Sequence, residues 1–151
     1  MKYRLSLSAI LLLFTAALGA QPPAPAAPVP AALLSAQKIF LSNGGSPMEG
    51  SLSGWPNRAY NDFYLALKSE GKFALVDDPS LADLVLTVQP SDQLEFKLTI
   101  VDRKSQFLLW TLFQPVQICT LQKTCDKNFD TAMASLVKQF DQLTAKSTAT
   151  Q

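Results

Sequence analysis

The sequence contains no histidine among its 151 residues. Histidine is the usual general base of serine and cysteine hydrolases, a common metal ligand, and the side chain that titrates near neutral pH. Its absence excludes Ser-His-Asp and Cys-His catalysis, imidazole metal sites and a histidine pH switch. We therefore expect no cofactor and no metal, and look to carboxylates, hydroxyls and the two cysteines for any chemistry.

The sequence also lacks an excess of charge of either sign, with 13 Lys and Arg against 12 Asp and Glu. Lys2 and Arg4 belong to the export signal predicted below, so the exported part has eleven basic and twelve acidic residues. This balance creates no field that would attract nucleic acid or anionic lipid. We therefore expect no nucleic-acid partner.

An apolar run long enough to stay in a membrane is missing as well. A basic start, an apolar stretch over 5–18 and small residues at its end have the order of a secretory signal at residues 1–20. The stretch is shorter than the roughly 20 residues that span a bilayer. We expect cleavage after Gly19 or Ala20, no transmembrane span after cleavage, and a periplasmic or secreted protein. The cleavage site has no cysteine, which argues against a lipid anchor.

Proline and alanine dominate residues 21–32, with five of the ten prolines between Pro22 and Pro30. Proline fixes φ and donates no hydrogen bond, so this composition predicts an extended, solvated tether. It fits a disordered N-terminus equally well. A single domain at residues 33–145 and a disordered tail at 146–151 complete the predicted organisation.

The periodicity of the domain predicts strands and two amphipathic helices. Apolar residues recur at helical spacing in 56–70 and 127–145, where Pro56 suits a first turn, Gly71 a C-terminal stop and Asp126 an N-cap. The order β-α-β-β-β-β-α predicts an α+β two-layer sandwich, with a mainly antiparallel sheet of four to five strands and both helices on one face. A short helical lead-in is expected at 31–37, one helical turn at 80–83, and strands at 38–41, 73–76, 84–88, 94–101 and 107–113.

The strands differ in their expected burial. A continuous apolar run over 84–88 predicts a central strand covered on both sides, which a turn at 90–92 ends. The next strand, 94–101, alternates apolar and polar residues and is therefore half-buried. A four-residue type I turn would then return the chain by pairing Val101 with Gln106.

This register places three large apolar side chains on the sheet face that the helices do not cover. They are Leu108, Trp110 and Leu112, with Lys97 opposite Trp110. Contiguous exposed apolar surface marks interaction sites, so these four residues form a predicted partner surface. The alternative is internal, with the tether or the 42–54 loop folded over the patch and Lys97 packed against the Trp110 ring.

Residues 42–54 hold four of the six glycines and show no apolar period, which predicts a loop. Glycine-rich loops can also cradle phosphates. The phosphate-binding pattern GxxxxGK[ST] is absent, however, so a plain loop is the better interpretation.

Cys119 and Cys125 are the only cysteines, and they follow an export signal. Six residues apart, they can close a small loop in an oxidising compartment, which predicts a structural disulfide. A thiol redox pair is the alternative. It is not favoured, because the spacing is not CxxC and only Lys123 and Lys127 lie near enough in sequence to lower a thiol pKa.

Carboxylate pairs are the remaining route to catalysis. Asp77 with Asp78, or Asp83 with Asp102, could act together in glycoside or metal chemistry. Each of these residues also has a structural explanation in a turn, a helical turn or a hairpin. We therefore predict no catalytic residue.

Several segments together resemble a group of bacterial envelope domains. The segments are Phe73–Asp77, Ala82–Val88, Leu98–Asp102 and the pair Leu109–Trp110, followed by the closing helix. The group includes the amino-terminal domain of TolB, the curli secretion component CsgG and the penicillin-binding-protein activator lipoproteins. The resemblance covers about residues 38–143 and implies a fold and an envelope setting rather than an activity.

These observations favour a non-enzymatic, exported envelope protein that acts as a protein-binding or assembly accessory domain. Its expected partner is another envelope protein or a second copy of the chain. Two alternatives stay open. One is a small extracytoplasmic hydrolase that uses carboxylates, and the other is a carrier of a small apolar ligand held between helices and sheet.

Overall fold

The computed structural model describes residues 27–45 and 54–145. Within them the chain forms three helices and a five-stranded sheet in the order α-β-α-β-β-β-β-α. The helices are α1 (Ala31–Ser35), α2 (Trp55–Glu70) and α3 (Gln122–Thr144); the strands are β1 (Lys38–Asn43), β2 (Ala74–Val76), β3 (Leu84–Ser91), β4 (Glu95–Asp102) and β5 (Leu108–Pro115).

Helix α2 forms where the apolar period predicts it. Pro56 lies in its first turn, where a missing N–H has no intrahelical partner to lose. Ala59, Phe63 and Leu67 form the buried stripe. Gly71 ends the helix with φ 65°, and its N–H donates to the carbonyl of Leu67. Only glycine adopts this left-handed conformation at little cost, which explains the stop.

Helix α3 confirms the predicted apolar stripe but starts earlier than predicted. Phe129, Leu136 and Phe140 are fully buried. The helix begins at Gln122, so the prediction of Asp126 as its N-cap is wrong. The carboxylate of Asp126 instead accepts hydrogen bonds from Arg58 of α2 and from the Gln122 side chain one turn earlier in α3.

The sheet is mixed, with strand order β2-β1-β3-β4-β5. β1 pairs in parallel with β2 and β3, whereas β3, β4 and β5 form an antiparallel meander. Helix α2 makes the crossover between β1 and β2. Both long helices pack on one face, so the α+β two-layer sandwich is confirmed.

Strand β3 departs from its prediction in two ways. Pro90 belongs to the strand rather than to a turn, and the strand ends at Ser91. The missing N–H of Pro90 breaks no strand pairing. The last pair between β1 and β3 is Asn43 with Val88, and Pro90 lies beyond it. Side chains of β3 alternate between buried and half-buried, so the predicted cover on both sides is wrong. The continuous apolar run reflects its central position only.

The core is built around two groups of aromatic rings. The rings of Trp55, Phe96 and Phe129 have centroids 4.9–6.1 Å apart and join α2, β4 and α3. Phe140 contacts Phe63 and Phe73 at 6.0 and 5.7 Å. Edge-to-face and tilted arrangements of this kind add to the free energy gained from burial.

Arg58 ties the two long helices together at one end of this core. Its guanidinium donates to Asp126 Oδ1 at 2.6 Å and to Asp130 Oδ1 at 2.7 Å, and it lies 4.2 Å from the Phe129 ring centroid. Asp62 contributes a weaker ion pair at 3.7 Å. A planar, forked cation suits two carboxylates and a ring face at once, which a lysine does not.

The β4–β5 hairpin forms, but its predicted register is wrong. The pair that closes the loop is Asp102 with Phe107, in place of the predicted Val101 with Gln106. Gln106 lies within the loop and has φ 62°. A β-bulge then inserts one extra residue next to Ile100, which pairs with Trp110. A single extra residue moves all following side chains to the opposite face.

Trp110 consequently lies on the helix-covered side of the sheet and packs against the core, while Phe113 lies on the other side. We expect Trp110→Lys to lower the free energy of unfolding by about 2–3 kcal/mol, because it removes aromatic packing and places a charge beside the core. Phe113→Lys, a matched change three residues away, should stay within about 0.5 kcal/mol of the wild type. Urea unfolding followed by circular dichroism measures both, and equal stability of the two variants would contradict this register.

Candidate interaction surface

One face of the sheet is not covered by any helix within the described residues. Its members follow from strand pairing and from the alternation of burial along each strand. We call it the open face. Its apolar side chains are Phe40, Val76, Val85, Val101, Leu108 and Phe113, and its polar or charged ones are Lys38, Ser42, Thr87, Gln89, Glu95, Lys97, Thr99 and Thr111.

The open face is most exposed along β5. Leu108 is 60% exposed and Phe113 is 50% exposed, and Phe107 in the adjoining turn is also exposed. Lys97 Nζ lies 6.0 Å from the Phe113 ring centroid. The contact resembles the predicted packing of Lys97 on an aromatic ring, but the ring is that of Phe113 instead of Trp110. Large apolar groups in solvent at one sheet end are typical of a docking surface.

The predicted partner surface is therefore only partly brought together. Leu108 and Lys97 lie on the open face, whereas Trp110 and Leu112 pack against the core on the other side. The physical reason is the bulge, which reverses the facing of residues after it. Phe113 was missed for the same reason, since the expected register placed it towards the helices.

The end of the sheet near the helix α3 start carries the disulfide. Cys119 and Cys125 are bonded, which confirms the predicted pairing. Ile118 and Leu121 beside it are exposed. A cavity of about 400 Å³ lies next to the bond and is lined partly by Trp55 and Leu94. The covalent link fixes this loop to the first turns of α3.

The candidate acids have structural partners. Asp83 accepts hydrogen bonds from the backbone N–H groups of Gln37 and Lys38, both at 2.8 Å, and these bonds lower the pKa of Asp83. Asp102 accepts bonds from the side chain and backbone of Ser105, which lower its pKa. A general acid needs a raised pKa, so neither carboxylate is prepared for that role.

The other predicted pair behaves similarly. Asp78 caps the short 3₁₀ helix Pro79–Leu81 by accepting from Ser80, and this contact lowers the pKa of Asp78. Asp77 lines a cavity whose lining does not include Asp78. The two adjacent carboxyl groups thus do not form a joint site.

The cavity beside Asp77 has a volume of about 590 Å³ and lies between α2 and the edge formed by β1 and β2. Its lining includes Tyr60 and Tyr64, whose rings stack with centroids 6.4 Å apart. Its size falls within the range of small-ligand sites, as the carrier alternative requires.

Residues 46–53, most of the predicted glycine-rich loop, lie outside the described residues, as do the predicted signal and much of the tether. In the described ranges, no three Cys, Asp or Glu side chains gather as metal ligands would. No helix there has the length and apolarity needed to cross a membrane.

A pair of carboxyl groups, Glu70 and Asp141, joins the C-terminal ends of α2 and α3. Burial and the neighbouring Asp141 carboxyl raise the pKa of Glu70 to about 7. Asp141 Oδ1 is buried and accepts no hydrogen bond from the described residues. The nearby Lys72 donates to Thr144 at 2.7 Å. A proton on Glu70 therefore supplies the donor that Asp141 lacks.

This arrangement predicts a pH-dependent stability. Between the unfolded pKa of 4.5 and the folded value of about 7, the folded state binds more protons, so the contribution of Glu70 to stability is full below pH 4.5 and is lost as pH rises through 7. Glu70→Gln should flatten this slope, because the amide needs no proton. Thermal unfolding between pH 5 and 8 tests it, with Glu95→Gln as the matched control, and an unchanged slope in Glu70→Gln would refute the assignment.

Comparison with solved structures identifies neighbours that share the fold. PelC from Paraburkholderia phytofirmans, which was solved as a dodecamer, is 10% identical with a TM-score of 0.51 over 69% of this chain and 86% of its own. A protein described as a neuraminyllactose-binding hemagglutinin homologue from Helicobacter pylori is 14% identical with a TM-score of 0.52, over 74% and 87%. At these identities the likeness shows the fold alone.

No model of a protein family matches this chain, and no curated protein does. The resemblance to the TolB, CsgG and penicillin-binding-protein activator group consequently stays a prediction from the sequence.

Proposed function

We propose that this chain is a non-enzymatic, exported domain of the bacterial envelope that binds protein through its open face and thereby assists assembly. The observation that carries this proposal is the exposed apolar surface along β5, formed by Leu108 and Phe113 on the open face. Burial of these exposed apolar side chains by another surface lowers the free energy.

The composition of the open face supports a protein partner. Its apolar side chains are interleaved with threonines such as Thr87, Thr99 and Thr111, which lie across neighbouring strands. Apolar groups supply burial, and hydroxyl groups can exchange hydrogen bonds with a second polar surface. Three charged side chains of the described residues lie on this face, Lys38, Glu95 and Lys97, and the first two lie at the starts of their strands. Charge away from the centre is in keeping with its depletion at interface centres.

The chemistry of the carboxylates supports a role without catalysis. Asp78, Asp83 and Asp102 each accept bonds from nearby N–H or hydroxyl groups, and their pKa values are lowered. Asp78 caps the 3₁₀ helix, Asp83 binds the backbone at the start of β1, and Asp102 stabilises the β4–β5 turn. The hydrolase alternative would need a carboxyl with a raised pKa beside a second acid in a cleft. Glu70 beside Asp141 has such a pKa, but neither residue lines the two cavities described above.

The sequence and the disulfide support the setting, and one neighbour supports self-assembly. The predicted signal at residues 1–20 and the disulfide Cys119–Cys125 suit an oxidising compartment outside the cytoplasm. PelC, which shares the fold, was solved as a dodecamer. A partner for the open face can therefore be another envelope protein or another copy of the chain.

The test uses the protein as recovered from an exporting bacterial host, together with Leu108→Lys/Val101→Lys. Both substitutions place charge on the open face, so we expect binding of an envelope partner, or self-association, to weaken at least tenfold. Capture from envelope extracts with identification of the retained protein measures the first, and light scattering measures the second.

The matched control is Leu65→Lys/Leu81→Lys, which charges exposed leucines outside the sheet; Leu65 is as exposed as Leu108, at 60%. This variant should bind as the wild type does. Circular dichroism and thermal unfolding establish that all three proteins fold. Equal binding by all three, or binding by none, would remove the support for the open face.

A further inference from the structure

Strand β5 forms one edge of the sheet and pairs only with β4 among the described residues. Its eight residues make it much longer than β2, the three-residue strand at the opposite edge. An edge strand presents unpaired N–H and C=O groups, which form a template for a further strand.

The residues that offer those groups follow from the hydrogen-bond pattern. Val116 N donates to the carbonyl of Leu94, and in an antiparallel pair the backbone groups alternate between the two sides. The backbone of Leu112 is therefore directed towards β4. The backbone N–H and C=O groups of Thr111 and Phe113 are directed outward.

The centre of this edge has none of the usual devices that prevent pairing. β5 contains no charged residue from Leu108 to Pro115. The bulge lies near its start and Pro115, which has no N–H, lies at its end. Natural edge strands commonly use lysine, proline or a bulge to discourage association. Here both devices flank the segment from Thr111 to Phe113 and leave it open.

We propose that β5 pairs antiparallel with β5 of a second copy of this chain, about a two-fold axis at Leu112. In this register Thr111 lies opposite Phe113 of the other copy, and each of the two equivalent pairs exchanges N–H and C=O bonds. The edge is thus complementary to itself, as a two-fold interface requires. The inference rests on the proposed assembly function and adds to it a contact between two copies at the β5 edge, distinct from the open face.

The surroundings of the strand allow this approach. Beside β5, the flank of α3 forms a cavity of about 470 Å³ with Gln114, Pro115, Lys127 and Thr131 in its lining. Lys127 lies near the Pro115 end of β5. The two copies of Lys127 therefore lie at opposite ends of the paired strands. Their repulsion is then screened, since the Debye length at physiological salt is about 8 Å. On the other side the two open faces become one continuous surface.

Thr111→Pro is the first test, because it removes an outward N–H and leaves the ladder to β4 intact. By symmetry it deletes two hydrogen bonds of the pair, so we expect the dimer dissociation constant to rise at least tenfold. Sedimentation equilibrium of the protein recovered after export measures it. Thr99→Pro cannot serve as the control, since β4 is central; Thr111→Val keeps the N–H and should leave the dimer unchanged.

A cysteine pair tests the register even if Thr111→Pro fails to fold. Thr111→Cys protein mixed with Phe113→Cys protein should form a disulfide-linked heterodimer under mild oxidation, because directly opposite residues of this kind have Cα atoms about 5.5 Å apart. Either variant alone should cross-link poorly, since its cysteines lie diagonally across the axis.

The proposal would be overturned if the protein were monomeric at about 100 µM, a concentration far above the dissociation constant of a specific dimer. An oligomer that Thr111→Pro does not weaken and the mixed cysteines do not link would overturn it as well. Leu108→Lys/Val101→Lys separates this proposal from the preceding one. A dimer that survives these substitutions while capture of an envelope protein is lost supports both surfaces, and a surviving dimer with no effect on capture supports the β5 edge alone.

Discussion

Both long helices bury their apolar stripes on the same face of one sheet, and the other features of the domain depend on this arrangement. Phe129 of α3 contacts Trp55 of α2 and Phe96 of β4, so the two helices and the sheet share one core. Arg58 then holds α2 and α3 side by side. Because the helices lie on one side, no helix of the described residues covers the opposite face of the sheet.

Much of this fold could be predicted from the sequence because local pattern and tertiary packing agree. The spacing of Ala59, Phe63 and Leu67 predicts α2, and Gly71 marks its end in both sequence and structure. The cysteines predict their own bond, since the sequence has only two and begins with a predicted export signal. Elements with one apolar face and a definite stop leave few alternatives.

The candidate surface could be predicted only in outline, because it depends on a single extra residue. Leu108 and Leu109 are both apolar, so nothing in their chemistry indicates that one of them lies in a bulge. The bulge decides whether Trp110 or Phe113 reaches the open face. Likewise, the pairing of β1 with β2 and β3 determines where Pro90 can sit in a strand, and strand order depends on contacts distant in sequence.

The position of α3 after all five strands affects when the core can form. Phe129 and Phe140 belong to the two aromatic groups of the core, and both lie in this helix. A chain is made from its amino end, so the part of the sheet that α3 covers stays exposed to solvent until α3 has emerged. Completion of the core is timed by the emergence of α3, and a holding chaperone would meet its substrate during that interval.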